Sequence, residues 1–148
     1  MQFDHEKLDV YRTSIEFVAW VGDLLDGPLA DCRHSAIGQL DRASTSVPLN
    51  IAEGNGKRSS RDRCRDLDIA RGSAFESAAA LDVLVACRTL TSAGVRPGKE
   101  LLKRVVEMLC KLTSTLSGGV SRDPPGQAVQ VGVGVADQLR ERRRHLRD

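Results

Sequence analysis

Apolar residues recur at helical spacing along much of the chain, most clearly around residues 39–54, which read QLDRASTSVPLNIAEG. Helical residues lie about 100° apart, so residues three or four positions apart share a face. The apolar face comprises Ile37, Leu40, Ser44, Val47 and Ile51. A second, polar row comprises Gln39, Arg42, Ser46, Asn50 and Glu53. Because Ser, Asn and Gln compete for backbone hydrogen bonds, this row predicts partly buried polar contacts rather than an ordinary solvated face.

The periodicity and the Gly and Pro positions predict four helices. We expect them at about 4–26, 33–54, 61–90 and 98–116. Asp4 is the expected N-cap of the first helix, and Gly27-Pro28 ends it. Residues 92–98 are expected to form a turn. With only 3% aromatic residues, the core must be aliphatic and rich in alanine, which favours closely packed helices over sheets.

Each predicted helix has a core stripe. In the first helix it is Leu8, Tyr11, Ile15, Val18 and Leu25, with Phe17, Val21 and Leu24 beside it. In the third it is Leu67, Ala70, Ala74, Ala78, Leu81 and Val85, and in the fourth Leu101, Leu102, Val105, Leu109, Leu112 and Leu116. Trp20 lies off the main stripe, so it is either a rim residue of the core or an exposed anchor for another subunit.

Pro48 lies inside the second predicted helix, where it removes a backbone hydrogen bond and crowds the carbonyl of Ser44. Either neighbouring hydroxyls satisfy that carbonyl, or the resulting bend shapes a subunit contact. The glycines of Glu53-Gly54-Asn55-Gly56 are available for a left-handed C-cap.

Four helices with short connections predict an up-down-up-down bundle over residues 3–117. Residues equally far from the connection at 55–60 should then face each other across the second and third helices. We therefore expect Arg42 to contact Glu76, and Arg71 to contact the row of Ser46 and Asn50.

Charge is balanced in the predicted bundle, with 16 Lys and Arg against 16 Asp and Glu in residues 1–117. Bulk charge therefore gives no support for nucleic-acid binding, and only a local patch could provide it. The most cationic stretch is KRSSRDRCRD, whose cations are Lys57, Arg58, Arg61, Arg63 and Arg65. It is either a solvated helix start with ion pairs or a patch that faces phosphates.

Residues 118–148 change character. They contain GGVSRDPPGQ, which reads as a Gly- and Pro-containing linker, and a short basic end that includes Arg140, Arg142, Arg143, Arg144 and Arg147. We expect this segment to be a disordered tail or a loosely attached helix.

Candidate chemistry is sparse. Cys32, Cys64, Cys87 and Cys110 form no CxxC pair, and the bundle topology places them at opposite ends in two pairs, so no metal site or cofactor is expected. No nucleophile with a base, carboxylate pair or Gly-rich loop after a strand is evident, which argues against an enzyme. Without a signal peptide or a long apolar run, we expect a cytoplasmic protein with reduced thiols and no membrane association.

Two motifs and their spacing carry a resemblance. These are Gln39-Leu40-Asp41-Arg42-Ala43 with Ser46-Val47-Pro48-Leu49-Asn50-Ile51-Ala52-Glu53-Gly54, and Ile69-Ala70-Arg71-Gly72-Ser73 with Glu76. Over about residues 3–117 the chain resembles the four-helix-bundle proteins named for intervening sequences in 23S ribosomal RNA genes, which are related to accessory proteins of diversity-generating retroelements.

The resemblance implies a non-catalytic homo-oligomer, typically a pentamer. It assigns an architectural role to Gln39, Arg42, Ser46, Pro48, Asn50, Glu53, Gly54, Arg71, Gly72, Ser73 and Glu76. The retroelement relatives are strongly basic, whereas residues 1–117 are neutral, and the segment after Gly118 has no counterpart in the family pattern. Two interpretations follow: an oligomeric scaffold that binds RNA, DNA or a nucleic-acid-handling protein, or a purely structural or protein-interaction bundle without a nucleic-acid role.

Overall fold

The computed structural model describes residues 1–118, and within this range the chain is all-helical. The elements are a short 3-10 helix (Asp4–Lys7), α1 (Asp9–Asp26), α2 (Ser35–Gly56), α3 (Ser60–Ala86) and α4 (Ser92–Leu116). The all-α prediction is confirmed for this part of the chain. The expectation for the tail falls on residues 119–148, outside the described residues.

The helices form a four-helix bundle in which α3 runs antiparallel to both α2 and α4. Between α2 and α3, Ser46 contacts Ser73 and Asn55 contacts Arg63. Later residues of α2 therefore contact earlier residues of α3, which means that the two helices are antiparallel. Between α3 and α4, Arg71 contacts Cys110, and Cys64 contacts Ser117 in the same sense. Helix α1 packs against α2 and α4, whereas its backbone does not come close to that of α3, the helix diagonally opposite.

The core is aliphatic, as the low aromatic content predicts. Its fully buried large side chains include Phe17, Leu40, Ile51, Leu81 and Leu109. The predicted core faces of α2, α3 and α4 point inward, although some of their residues are only partly buried. Dispersion and hydrophobic burial along these stripes hold the helices together.

The predicted core face of α1 is correct only in part: Phe17 and Val21 are fully buried, and Tyr11, Leu24 and Leu25 pack partly buried against the core. The residues buried in α1 are Val10, Thr13, Ser14, Phe17 and Val21, whereas Ile15 is 42% exposed. Two small hydroxyl residues, Thr13 and Ser14, also lie on the core face. The Ser14 hydroxyl donates to the Tyr11 carbonyl at 2.6 Å. Hydrophobicity alone therefore selected the neighbouring row as the core.

The first predicted helix is also interrupted at its start. Residues Asp4–Lys7 form the 3-10 helix, and Leu8 adopts an extended conformation with φ of −78° and ψ of 126° before α1 begins. The predicted N-cap role of Asp4 is therefore wrong. The Glu6 carboxylate instead accepts a 2.7 Å hydrogen bond from the Phe3 amide, which closes the short helix on itself.

Residues 92–98 are helical, although we expect a turn there. The Thr91 hydroxyl caps α4 by accepting from the Gly94 amide at 3.0 Å. Pro97 follows in the second turn, where it removes one intrahelical hydrogen bond. Because the capping residue Thr91 precedes Gly94 and Pro97 in the chain, the helix starts before Gly94 and continues through Pro97.

The ends of α2 and α3 differ from the prediction. Helix α2 continues through Gly54 to Gly56, and Lys57 caps it in an extended rather than left-handed conformation. Helix α3 ends at Ala86 rather than near Leu90, and Arg88 takes a left-handed φ of 60°. The amides of Arg88 and Thr89 reach back to the Val85 and Leu84 carbonyls, the pattern of a Schellman motif.

Pro48 lies inside α2, as expected, and it is buried. The hydroxyls of Ser44 and Thr45 both donate to the Asp41 carbonyl, at 2.9 and 3.0 Å. Neither reaches the Ser44 carbonyl that Pro48 leaves without its amide. A Ser or Thr hydroxyl bonds the carbonyl three or four residues earlier, so satisfying Ser44 would need a hydroxyl at 47 or 48, which are Val and Pro.

Candidate functional site

The middle of the polar row of α2, Ser46 and Asn50, is partly buried against α3, as the sequence predicts, whereas Gln39, Arg42 and Glu53 are exposed. The hydroxyls of Ser46 and Ser73 lie 2.9 Å apart, and Ser73 is 9% exposed. The Asn50 amide donates to both the hydroxyl and the carbonyl of Ser46, at 2.9 Å each. This small network joins the two helices at mid-length and leaves its hydroxyls satisfied.

The predicted contacts of Arg42 and Arg71 are wrong. Within residues 1–118 no ion pair joins Arg42 to Glu76, and both residues are exposed. Arg42 and Glu76 lie on the solvent-exposed side of the Ser46–Ser73 contact, where water competes with a salt bridge for their charged groups. Arg71 is two residues from Ser73, about 200° around the helix, so it faces α4 instead of α2. It contacts the Cys110 sulfur at 3.6 Å and Asp68 at 3.7 Å.

Gly54 allows α3 to approach α2 closely. A Cβ at this position would lie 2.9 Å from the Asp66 Cβ and 3.3 Å from the Arg63 carbonyl oxygen. Asp66 is 9% exposed, and its buried Oδ2 has no hydrogen-bond partner among the described residues. The position of Gly54 in the polar motif therefore reflects a steric requirement between helices rather than a turn.

An exposed surface borders the Ser46–Ser73 contact, and we call it the α2–α3 outer face. It comprises Arg42, Leu49, Glu53, Ile69, Gly72 and Glu76. Leu49 is 62% exposed and Ile69 46%. Sequence reasoning missed both apolar residues as surface features, although their positions between rows of the helical pattern could have indicated them.

The other motif residues divide between this face and the core. Gln39 is exposed at the start of the polar row, and Pro48 is buried in the core-facing side of α2. Arg71 lies on the α4 side of α3. The structure therefore brings most of the motif to the boundary between α2 and α3, but it does not join all eleven residues into one site.

The candidate cationic patch lies at the end of the bundle where α2 joins α3. Lys57 pairs with Glu53 at 3.5 Å, and the half-buried Arg63 donates to the Asn55 side chain at 3.2 Å. The remaining arginines of the patch, Arg58, Arg61 and Arg65, are exposed and form no ion pair within residues 1–118. The patch thus has three cations available to an external anion.

Arg61 and Arg65 border an open depression of about 860 Å³ on α3. Asp62, Asp68, Cys64 and Ile69 line the rest of it. The carboxylates weaken the positive potential locally, so the depression itself is not a strongly cationic phosphate pocket. Arg58 extends the available positive charge toward the loop that precedes α3.

The four cysteines are free thiols. Cys64 contacts Ser117 near one end, and Cys87 lies 3.6 Å from Nε2 of His34 near the other. His34 also caps α2, since its Nδ1 accepts from the Ala36 amide at 3.0 Å. Over residues 1–118, no group of three or more His, Cys, Asp or Glu side chains is arranged to hold a metal ion.

None of the helices in the described part of the chain has the length and apolar character needed to cross a membrane.

Comparison with known proteins identifies the family of this four-helix bundle. The family model described as 23S rRNA-intervening sequence protein matches residues 6–111, which cover all of α1, α2 and α3 and most of α4. The chain belongs to this family. The resemblance drawn from the two motifs is therefore confirmed, and the match includes the α2–α3 outer face and the cationic patch. No curated protein sequence matches the chain.

A solved structure similar to this fold is the 1.70 Å crystal structure of a protein of unknown function from the S23 ribosomal protein family of Bacteroides thetaiotaomicron VPI-5482. The sequences are 22% identical, and the match covers 70% of this chain and 97% of that chain with a TM-score of 0.66. At this identity the similarity supports the shared four-helix fold and carries no functional assignment.

Proposed function

We propose that this family member is a non-enzymatic, homo-oligomeric helical scaffold that acts in the cytoplasm. The observation that carries the proposal is the number of large apolar side chains that the bundle leaves in water. Leu49, Phe75, Ile69, Ile15 and Val83 are 62%, 58%, 46%, 42% and 38% exposed. Their burial in an assembly would remove apolar surface from water and stabilise it.

Trp20 does not serve as an exposed anchor in this proposal. Its ring stacks on Phe17, with centroids 5.9 Å apart, and it is half-buried at the rim of the core. Of the two roles left open by the sequence, the rim position agrees with this packing. The apolar residues on the outer surfaces of α2 and α3 are therefore better candidates for contact between copies.

Light scattering coupled to size exclusion tests the assembly. The chain mass is 16.1 kDa, and a pentamer has five times this value. We expect a discrete mass that stays constant as the protein is diluted through the micromolar range. A mass of one chain at all of these concentrations would contradict the proposal.

A second candidate function is binding of nucleic acid, or of a partner that handles it, by the scaffold. The observation that favours it is the exposure of Arg58, Arg61 and Arg65 without ion pairs within residues 1–118. Clustered arginines neutralise phosphates and release counterions, so affinity should fall steeply with salt. The alternative, a bundle that acts only through protein contacts, predicts no salt-dependent retention.

Fluorescence anisotropy with labelled RNA and DNA hairpins across a salt series separates these functions. Replacing all three arginines with Gln should weaken binding and reduce the slope of log affinity against log salt by about 0.9 per lost phosphate contact. A matched control replaces Lys103, Arg104 and Lys111, three exposed cations of α4, with Gln. Equal loss in both variants would point to net charge and contradict a local site, and absence of binding would favour the protein-contact function.

A further inference from the structure

We propose that a second copy of this chain docks on the α2–α3 outer face, with Gly72 at the point of closest approach. The inference rests on the self-assembly proposed above and assigns it to one surface. Leu49 on α2 and Ile69 on α3 are 62% and 46% exposed and lie at the same level of the helix pair. They provide the apolar component that a protein contact needs.

Gly72 is unexplained by the fold of one chain. It lies inside α3, where glycine is among the poorest helix formers, and a Cβ built there meets nothing within 4 Å among residues 1–118. The bundle explains two other helical glycines, Gly54 and Gly98, because a Cβ on either would meet a neighbouring helix at 2.9 Å or less. Gly22 and Gly56 are open like Gly72, so the open space at Gly72 supports docking only together with the exposed Leu49 and Ile69 on the same face. An absent side chain on an exposed helix face permits the close approach of another backbone.

The charges on this face fit a second copy better than a nucleic acid. Arg42 and Glu76 have opposite signs, both are exposed, and neither forms an ion pair within residues 1–118. A copy of the same chain carries both complementary charges. Nucleic acid would be repelled by Glu53 and Glu76, and the available arginines lie at the end of the bundle instead.

The polar centre of the face can be covered without losing hydrogen bonds. The Ser46 and Ser73 hydroxyls already bond each other at 2.9 Å, and the Asn50 amide bonds the Ser46 hydroxyl at 2.9 Å. Burial is costly for polar groups that lack partners, which these hydroxyls do not. A docking chain therefore needs to match the apolar and charged residues at the border, not to supply new partners for the centre.

Light scattering of the full chain and two glycine variants tests the assignment. We expect the wild-type chain to assemble and Gly72→Arg to shift toward the one-chain mass of 16.1 kDa at micromolar concentration. Gly22→Arg is the matched control, because Gly22 is also a helical glycine with open space but lies on α1, diagonal to α3. It should keep the wild-type mass. Far-UV circular dichroism should show equal helix content in all three, since both glycines have room for a side chain.

The outcomes separate this inference from the proposed function. A monomeric wild-type chain would overturn both. An assembled wild-type chain with an equally assembled Gly72→Arg variant would overturn only the assignment to this face, as would loss of assembly in Gly22→Arg. If Gly72→Arg kept its mass but lost retention of an RNA hairpin, the face would contact nucleic acid, and the second-copy assignment would be wrong.

Discussion

The six-membered ring of Trp20 in α1 lies directly over Gly98 in α4. A Cβ added to Gly98 would be 2.2 Å from Cζ3 of Trp20 and within 2.5 Å of two further ring atoms. The glycine therefore sets how closely α1 and α4 pack around the indole. Since Trp20 also stacks on Phe17, the ring cannot move aside without disturbing the core.

Gly98→Ala should destabilise the protein, even though alanine is the better helix former. We expect the overpacking cost of about 1–3 kcal/mol to exceed the helix-propensity gain of about 1 kcal/mol. Urea unfolding at fixed protein concentration measures the change. Gly22→Ala is the control, because within residues 1–118 its Cβ meets nothing within 4 Å, and the change should stabilise α1 slightly. Equal stability of the two variants would contradict the steric role of Gly98.

Gly54→Ala should also destabilise, because its Cβ would meet the Asp66 Cβ at 2.9 Å and force α2 and α3 apart. We expect a loss of about 1–3 kcal/mol in the free energy of unfolding. The comparison is Gly56→Ala, two residues further along α2, where a Cβ meets no atom of the described residues within 4 Å. If the cost at Gly54 came only from the backbone of α2, the two variants would behave alike.

The Ser46–Ser73 contact should appear as a coupling energy. Replacing either serine with Ala removes the 2.9 Å hydrogen bond and leaves the other hydroxyl with fewer partners. We expect a double-mutant cycle to give a coupling of about 0.5–1.5 kcal/mol, measured by thermal or urea unfolding. Additive single-site effects would show that the two hydroxyls stabilise the helices independently of each other.

Arg88→Gly should stabilise the chain. Arg88 is the only non-glycine residue of the described part with positive φ, and at 60° it pays for a left-handed conformation that glycine adopts freely. The gain is expected to be about 0.5–1 kcal/mol after the greater freedom of glycine in the unfolded chain is included. Arg88→Ala serves as the control, since it removes the side chain while keeping the strain. A Gly variant no more stable than the Ala variant would contradict the argument.

Local pattern predicted the helices far better than it predicted their ends. The start of α4 was misplaced because Gly and Pro punctuate the sequence more visibly than the capping hydroxyl of Thr91, which precedes them. The end of α3 was misplaced because Arg occupies the left-handed position where glycine is the usual signal. Thr91 and Arg88 mark these two helix ends only through the local backbone geometry, which their residue types do not reveal.

The candidate site was predicted in part. The polar row of α2 does pack on α3, but its main partner is Ser73 rather than Arg71, since a rotation of about 200° separates those two positions on the helix. The prediction of which residues lie at the same height along the antiparallel helices α2 and α3 is correct. The predicted directions of the long charged side chains are wrong. Arginine and glutamate side chains at a solvated edge can bind either neighbouring residues or water, and the spacing of these residues in the sequence does not determine which interaction forms.

The sequence by itself determined the fold class, the helical faces of α2, α3 and α4 and the family, because these depend on periodicity and on short motifs that are local along the chain. Tertiary structure decided which glycines are steric requirements. Gly54 and Gly98 have neighbouring helices against them and Gly72 has none, although all three are helical glycines in sequence. The physical reason is that the space at a Cβ is set by residues distant in the chain, which no local pattern specifies.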